Sequence, residues 1–187
     1  MKLLPEPVVC HTTPPRRSPS CSARSSCCGA ASAVVDGQTV RVTGDPGDLD
    51  AWRAAFGPGR FAKTAERLRE GSHSAVGFVA RLDGRVIGSV RLWPVTIGDT
   101  SALFLGPIAV DAGRRSDGLG AELVQACLDQ ARTLDVGGVL LVGDAAYFER
   151  FGFVGAPEAI LPGPVDRRRV LWLATGVDQV SGPVRIG

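Results

Sequence analysis

The residues best suited to chemistry lie in one short run, Gly113-Arg114-Arg115-Ser116-Asp117-Gly118-Leu119-Gly120, set between a strand-like and a helix-like segment. The first turn of a helix has backbone N–H groups without intrahelical partners and carries the positive end of the helix dipole, so it attracts an anion. Gly118 and Gly120 lack the side chains that would hold a phosphate off those amides, and Arg114 and Arg115 add positive charge. Such a run can cradle a diphosphate. Asp117 works against it, because its carboxylate stands beside the expected anion unless it is used as a helix cap. Without a ligand the same residues read as a plain cap, with Ser116 or Asp117 capping and the glycines marking a tight turn.

Three glycine patterns compete for this run. A phosphate-binding P-loop needs Gly-Lys-Ser/Thr, but Gly118 is followed by Leu119-Gly120. A dinucleotide-binding fingerprint needs a third glycine where Leu123 stands, and it opens the first crossover of its domain. The third pattern, Q/R-x-x-G-x-G/A, is met by Arg115-Ser116-Asp117-Gly118-Leu119-Gly120.

The elements that must position this loop are legible around it. Residues 1–36 are rich in Pro, Ser, Arg and Ala without periodicity, which predicts a disordered extension, and residues 37–187 read as a single domain. Val40 and Val42 alternate with polar neighbours as in a half-buried strand over 38–43. Asp45-Pro46 starts a helix bearing Leu49, Trp52 and Phe56, and a second helix over 61–70 places Phe61, Ala65 and Leu68 on one face. Strand-like runs follow at 74–82, 85–97 and 100–110, joined by the hairpin signal Asp83-Gly84 and by Gly98-Asp99. From Gly118 to Leu134 the apolar residues Leu119, Leu123, Cys127 and Ala131, broadened by Val124, Leu128 and Leu134, form an amphipathic helix. The apolar run 139–142 is a buried strand, so strand, loop, helix and strand make a crossover with parallel pairing. A last strand is expected over 170–174.

Bulk composition narrows the function. The 187 residues are 44% hydrophobic and 21% charged, as in a soluble globular protein. A net charge of +2, from 21 basic against 19 acidic residues, makes no general case for a nucleic acid or a membrane surface as partner. No apolar run approaches the roughly 20 residues of a bilayer span. Pro5 and Pro7 interrupt any secretory core, so a cytoplasmic location is expected. Cys10, Cys21, Cys27 and Cys28, with His11, are spaced by ten, five and zero residues, unlike paired zinc ligands, and no metal is expected. With His11 and His73 as the sole histidines, a Ser-His-Asp hydrolase is poorly supported.

Several ordered motifs now combine. Leu105-Gly106-Pro107-Ile108-Ala109-Val110-Asp111, the 115–120 loop, Leu141-Val142-Gly143-Asp144 and Arg150-Phe151-Gly152-Phe153 together resemble the GNAT superfamily of N-acetyltransferases. More narrowly, they are similar to a bacterial branch with a G-D-x-x-Y-Y/F-x-R-F-G-F segment, and the likeness covers roughly residues 40–174. The resemblance implies an α+β fold: a mixed, mostly antiparallel twisted sheet of six to seven strands, about four flanking helices and a splayed parallel pair at the centre. It implies acetyl-CoA as co-substrate, an amine acceptor, and a monomer or homodimer.

By the same resemblance, amides across Arg114, Arg115, Ser116, Asp117, Gly118, Leu119 and Gly120 hold the coenzyme A diphosphate. Ile108, Ala109 and Val110 pair with the pantetheine arm, and the thioester lies between the strands ending near Val110 and Val142. An oxyanion donor is expected at the backbone of Ile108 or Ala109. Many relatives carry an acid tyrosine four residues before the glycine of the G-F pair. Here that position is Phe148, counted with the residues that line the coenzyme, and the sole tyrosine, Tyr147, is its neighbour. Tyr147 is the candidate acid, with a wall role as the alternative, because neighbours on a short helix point about 100° apart. Phe151 and Phe153 read as packing residues. No carboxylate stands within 103–110. Glu66, Glu70, Asp99 and Asp144 are candidate bases by availability, Asp144 also reads as a helix cap, and the helix over 60–69 borders the acceptor side. Two other readings stay open: an acyl-CoA-binding regulatory module, and an acyltransferase using a longer acyl-CoA or an acyl carrier protein.

Overall fold

The computed structural model describes residues 31–35, 38–44, 68, 72–111, 113 and 118–187. The strands are β1 (Ala31–Val35), β2 (Gln38–Gly44), β3 (Val76–Leu82), β4 (Arg85–Ile97), β5 (Thr100–Val110), β6 (Gly138–Val142), β7 (Val154–Gly155), β8 (Ala159–Ile160), β9 (Val170–Ala174) and β10 (Gly182–Ile186). Helix α1 (Leu119–Ala131) crosses from β5 to β6, and the short α2 (Ala145–Phe148) runs into a 3-10 turn, Glu149–Phe151. A second 3-10 turn, Arg167–Arg169, leads into β9.

The sheet runs β1-β2-β3-β4-β5-β6-β9-β7, with β10 pairing both β4 and β8. It is mixed and mostly antiparallel, the parallel contacts being β5 with β6 and β8 with β10. This is the α+β class expected, with more strands than the six to seven anticipated: β1, β7, β8 and β10 are additional, β7 and β8 being only two residues long. The predicted helices over 45–56 and 61–70 lie outside the described residues, except for Leu68, which is buried against Trp93 and Val95.

Local signals explain most of the meander. Asp83 and Gly84 both have positive φ, 50° and 80°, as a two-residue hairpin with the right twist requires. Ile97 faces Thr100 across Gly98-Asp99. Strand β1 pairs with β2 from Ala31↔Val42 to Val35↔Gln38, so pairing reaches five residues into the segment expected to be disordered. The overlooked signal is Asp36-Gly37 beside Val34-Val35, a hairpin pattern like the one at 83–84. Residues 1–30, with their four cysteines, lie outside the described residues.

Two apolar layers hold the sheet. On one face, α1 buries Leu119, Leu123, Val124, Cys127, Leu128 and Ala131 against Val90, Leu92, Leu103, Leu105, Val139 and Leu141. The other face carries Trp93, Val95, Ile97, Phe104, Leu140 and Trp172. At roughly 1.5–3 kcal/mol for each large side chain buried, these layers dominate stability. Leu134, read from the sequence as part of the α1 stripe, is 36% exposed, because the helix ends at Ala131 and the chain turns away.

Candidate active site

The site begins where β5 parts from β6. The two strands pair only at Leu103↔Val139 and Phe104↔Leu140. Beyond that point β5 continues for six residues beside β4, with Ile108, Ala109 and Val110 opposite Val90, Ser89 and Gly88. Strand β6 keeps its pairing with β9 along its whole length, from Gly138↔Ala174 to Val142↔Val170. The result is a gap between the ends of two parallel neighbours, edged on one side by an unmatched strand of the kind an extended ligand can join.

A bulge produces the divergence. Val90 faces Ile108 while Leu92 faces Leu105, so Gly106 and Pro107 together oppose Arg91. Such an extra residue bends its strand and increases the local twist. The Gly106-Pro107 peptide is cis, and the Gly106 carbonyl accepts a 2.7 Å hydrogen bond from the buried Trp93 Nε1–H. Trp93 therefore anchors the bulge from the face opposite α1.

The loop after β5 starts from Asp111. Its N–H donates to Ile87 O at 2.8 Å, its Oδ1 accepts the Gly113 N–H at 3.3 Å, and its Oδ2 pairs with Arg85 Nη2 at 3.1 Å. Asp111 is thus a turn residue. Arg114, Arg115, Ser116 and Asp117 lie outside the described residues. The helix N-cap is Gly118, at φ 77° and ψ −5°, a left-handed conformation that glycine adopts without steric cost. Its carbonyl accepts the Ala121 N–H at 2.8 Å, it offers no side-chain cap to the first two N–H groups, and a Cβ built there meets nothing within 4 Å among the described residues. Among the described residues, the start of α1 therefore has no side-chain cap, and a helix start of that kind can accept an anion.

Tyr147 joins this corner. A Cβ built on Gly120 would lie 3.3 Å from Tyr147 Oη and 3.8 Å from Val110 Cγ2. The half-buried phenol thus reaches across to the first turn of α1 beside the end of β5. Asp144 caps α2, its Oδ1 accepting Ala146 N–H at 3.3 Å, as its place after Gly143 suggested. The Arg150 guanidinium lies 3.8 Å over the Tyr147 ring centroid, and Phe148 meets that ring edge-on at 4.9 Å. Phe148 itself is buried in the core with Phe153, its ring packed on the Cα of Gly143. The two neighbours divide their tasks: Phe148 turns into the core and Tyr147 toward Gly120 in the first turn of α1.

Of the carboxylates named as candidate bases, Asp99 sits in the turn before β5, at the opposite end of that strand from Val110. Eleven residues of strand separate them, a distance of roughly 35 Å. Asp99 is removed from the site. Glu66 and Glu70 lie outside the described residues, and His73 is exposed. Two residues that sequence reasoning passed over belong to the site's support: Trp93, which holds the bulge, and Arg85, which pairs with Asp111. Neither carries a local signal, since each acts on a residue 13 or 26 positions away.

Comparison with known proteins agrees with this geometry. Residues 48–153 match the family model described as Acetyltransferase (GNAT) family. The chain is 36% identical over 118 residues to the uncharacterized N-acetyltransferase YhbS of Escherichia coli K12, covering 61% of this chain and 71% of the relative. Its structure is similar to that of Escherichia coli YhbS in complex with CoA, with a TM-score of 0.63, 26% identity, and coverage of 89% of this chain and 94% of that one. It is also similar to a GNAT family acetyltransferase from Brucella melitensis in complex with acetyl-CoA, with a TM-score of 0.60, 25% identity, and coverage of 79% and 96%. The family match, these relatives and a parted strand pair lead to one conclusion: the chain belongs to the GNAT family of acetyltransferases.

Proposed function

We infer that this protein transfers the acetyl group of acetyl-CoA to a primary amine, on a small molecule or a protein, by direct attack within a ternary complex. The observation that carries this reading is the gap where β5 leaves β6, near the start of α1, which has no side-chain cap among the described residues. That the Escherichia coli and Brucella relatives hold CoA and acetyl-CoA supports it.

In this reading the 114–120 segment holds the diphosphate through backbone amides, with Arg114 and Arg115 adding charge. The free edge of Ile108, Ala109 and Val110 takes the pantetheine arm as an added strand. The amine lone pair attacks the thioester carbonyl carbon, and the backbone N–H of Ile108 or Ala109 stabilises the oxyanion that forms. The C–S bond then breaks, the nitrogen gives up its extra proton to solvent, and Tyr147 supplies a proton to the departing thiolate. The placement of Tyr147 Oη beside Gly120 and Val110 favours the acid role over a wall role. Phe148 serves as the wall behind Tyr147.

Titration with acetyl-CoA, CoA and a long-chain acyl-CoA, followed by thermal unfolding, tests the binding half. A ligand at 100 times its dissociation constant adds about 2.7 kcal/mol. Stabilisation by none of the three would overturn the reading. Preference for the long chain points to a different acyl donor. Thiol release with a panel of amines tests transfer, and binding without release points to a regulatory module. Tyr147→Phe is expected to lower turnover by about 10²- to 10⁴-fold with acetyl-CoA affinity kept, and retained turnover would remove the acid assignment.

A further inference from the structure

The turn leading into β9 carries three consecutive exposed arginines, Arg167, Arg168 and Arg169. Like charges in a row repel, and the turn is held together by Asp166. The Asp166 carboxylate accepts the Arg168 backbone N–H at 3.1 Å and its Nε–H and Nη2–H at 3.1 and 3.0 Å. The Asp166 backbone carbonyl accepts the Arg169 N–H at 2.9 Å. Arg168 is thereby neutralised. Among the described residues, no carboxylate pairs with Arg167 or Arg169.

Arg169 is also pinned to the rim of the gap. Because its backbone N–H turns back to Asp166, the β6–β9 ladder lacks a donor for the Gly143 carbonyl. The Arg169 Nε–H supplies one at 3.3 Å, while Gly143 N–H donates to Arg169 O at 2.9 Å. The root of this guanidinium is therefore set at the C-terminal end of β6, next to Val142. A guanidinium has five donors, and Gly143 takes one. The end of β5 and Gly118, where the acetyl-transfer reading puts the donor's diphosphate, belong to the other wall.

We propose that Arg167 and Arg169 form an anion site on the acceptor side of the gap, selecting amines that also carry a carboxylate or phosphate group. This rests on the acetyl-transfer reading above. Guanidinium suits both anions through paired N–H donors, and a turn fixed by Asp166 and Gly143 loses little freedom on binding.

The test uses matched amines that differ in the anionic group: O-phosphoethanolamine against ethanolamine, and γ-aminobutyrate against butylamine. Binding to the full chain saturated with CoA is followed by calorimetry, so turnover is not needed. At low salt the anionic member of at least one pair is expected to bind about tenfold more tightly, and the pair with the larger gain identifies carboxylate or phosphate. Arg167→Glu, which breaks no described contact, is expected to abolish the advantage, and Arg169→Gln to reduce it. Acetyl-CoA affinity is expected to stay within about twofold in both variants. Equal binding within both pairs, or an advantage that survives Arg167→Glu, would overturn the proposal. So would parallel loss of acetyl-CoA affinity, which would assign the arginines to a donor phosphate. Thiol release with neutral amines alone would sink the anion site while leaving acetyl transfer standing. Failure of wild type to bind any coenzyme would sink both.

Discussion

The hydroxyl of Tyr147 stands 3.3 Å from the point where a Cβ on Gly120 would lie. This contact joins the two halves of the proposed chemistry, a proton donor and a diphosphate-holding helix start. It also separates stability from function in a way that can be measured.

Gly120 lies in the first turn of α1, where alanine is the better helix former by about 1 kcal/mol. Gly120→Ala is therefore expected to leave the melting temperature unchanged or raised. The added methyl crowds Tyr147 Oη, so acetyl-CoA affinity and turnover are expected to fall severalfold. Thermal melts alongside calorimetric titration check this. A protein that loses stability and keeps affinity would show that the contact is incidental.

Trp93 anchors the bulge that parts β5 from β6. Trp93→Phe keeps most of the ring volume but strands the Gly106 carbonyl, a cost of about 1–3 kcal/mol in denaturant unfolding. Because the bulge shapes the edge of Ile108, Ala109 and Val110, acetyl-CoA is expected to bind more weakly than to wild type. Unchanged coenzyme affinity at reduced stability would confine Trp93 to packing.

Arg85 and Asp111 hold the start of the loop. The Arg85 side chain is 78% exposed, so Arg85→Ala is expected to cost little stability. It does leave the Asp111 carboxylate unbalanced beside an anion site, and acetyl-CoA binding should weaken by about two- to fivefold, more at low salt than at high. Titrations at two ionic strengths decide the matter, and an effect independent of salt would refute the electrostatic account.

Cys127 lies fully buried on the inner face of α1, and burial pushes its thiol well above the ordinary range. In the unfolded chain a thiol ionises near pH 8.5, whereas the folded state keeps it protonated. Below that pH both states hold the proton and stability from this group is complete. Above it the unfolded state loses the proton first, so unfolding free energy falls by up to about 1.4 kcal/mol per pH unit until the folded thiol also ionises. Denaturant unfolding at pH 8 and 10 should show this decline, and Cys127→Ala should flatten it. A decline of equal slope in both proteins would assign it to other groups. The native thiol should also resist a thiol-reactive dye at pH 8.

Local patterns carried much of this protein. The stripe from Leu119 to Ala131 is periodic every three to four residues, the Asp83-Gly84 turn demands positive φ, and Val170–Ala174 is bounded by its own composition. Each needs only neighbours in the chain, so each was legible without a structure. The anion binding proposed for the glycine run rests on the same kind of local information, backbone groups at a helix start.

What only the tertiary structure decided are contacts between residues distant in sequence. The gap depends on a one-residue difference in register between β4 and β5, locked by Trp93 on Gly106. Whether Tyr147 or Phe148 faces the site depends on the way α2 packs, since two neighbours on a short helix point in different directions and both are aromatic. Arg169 reaches Gly143 across 26 residues because a backbone donor turned away and a side chain took its place. Periodicity along the chain records which face an element buries; it does not record which distant element meets that face.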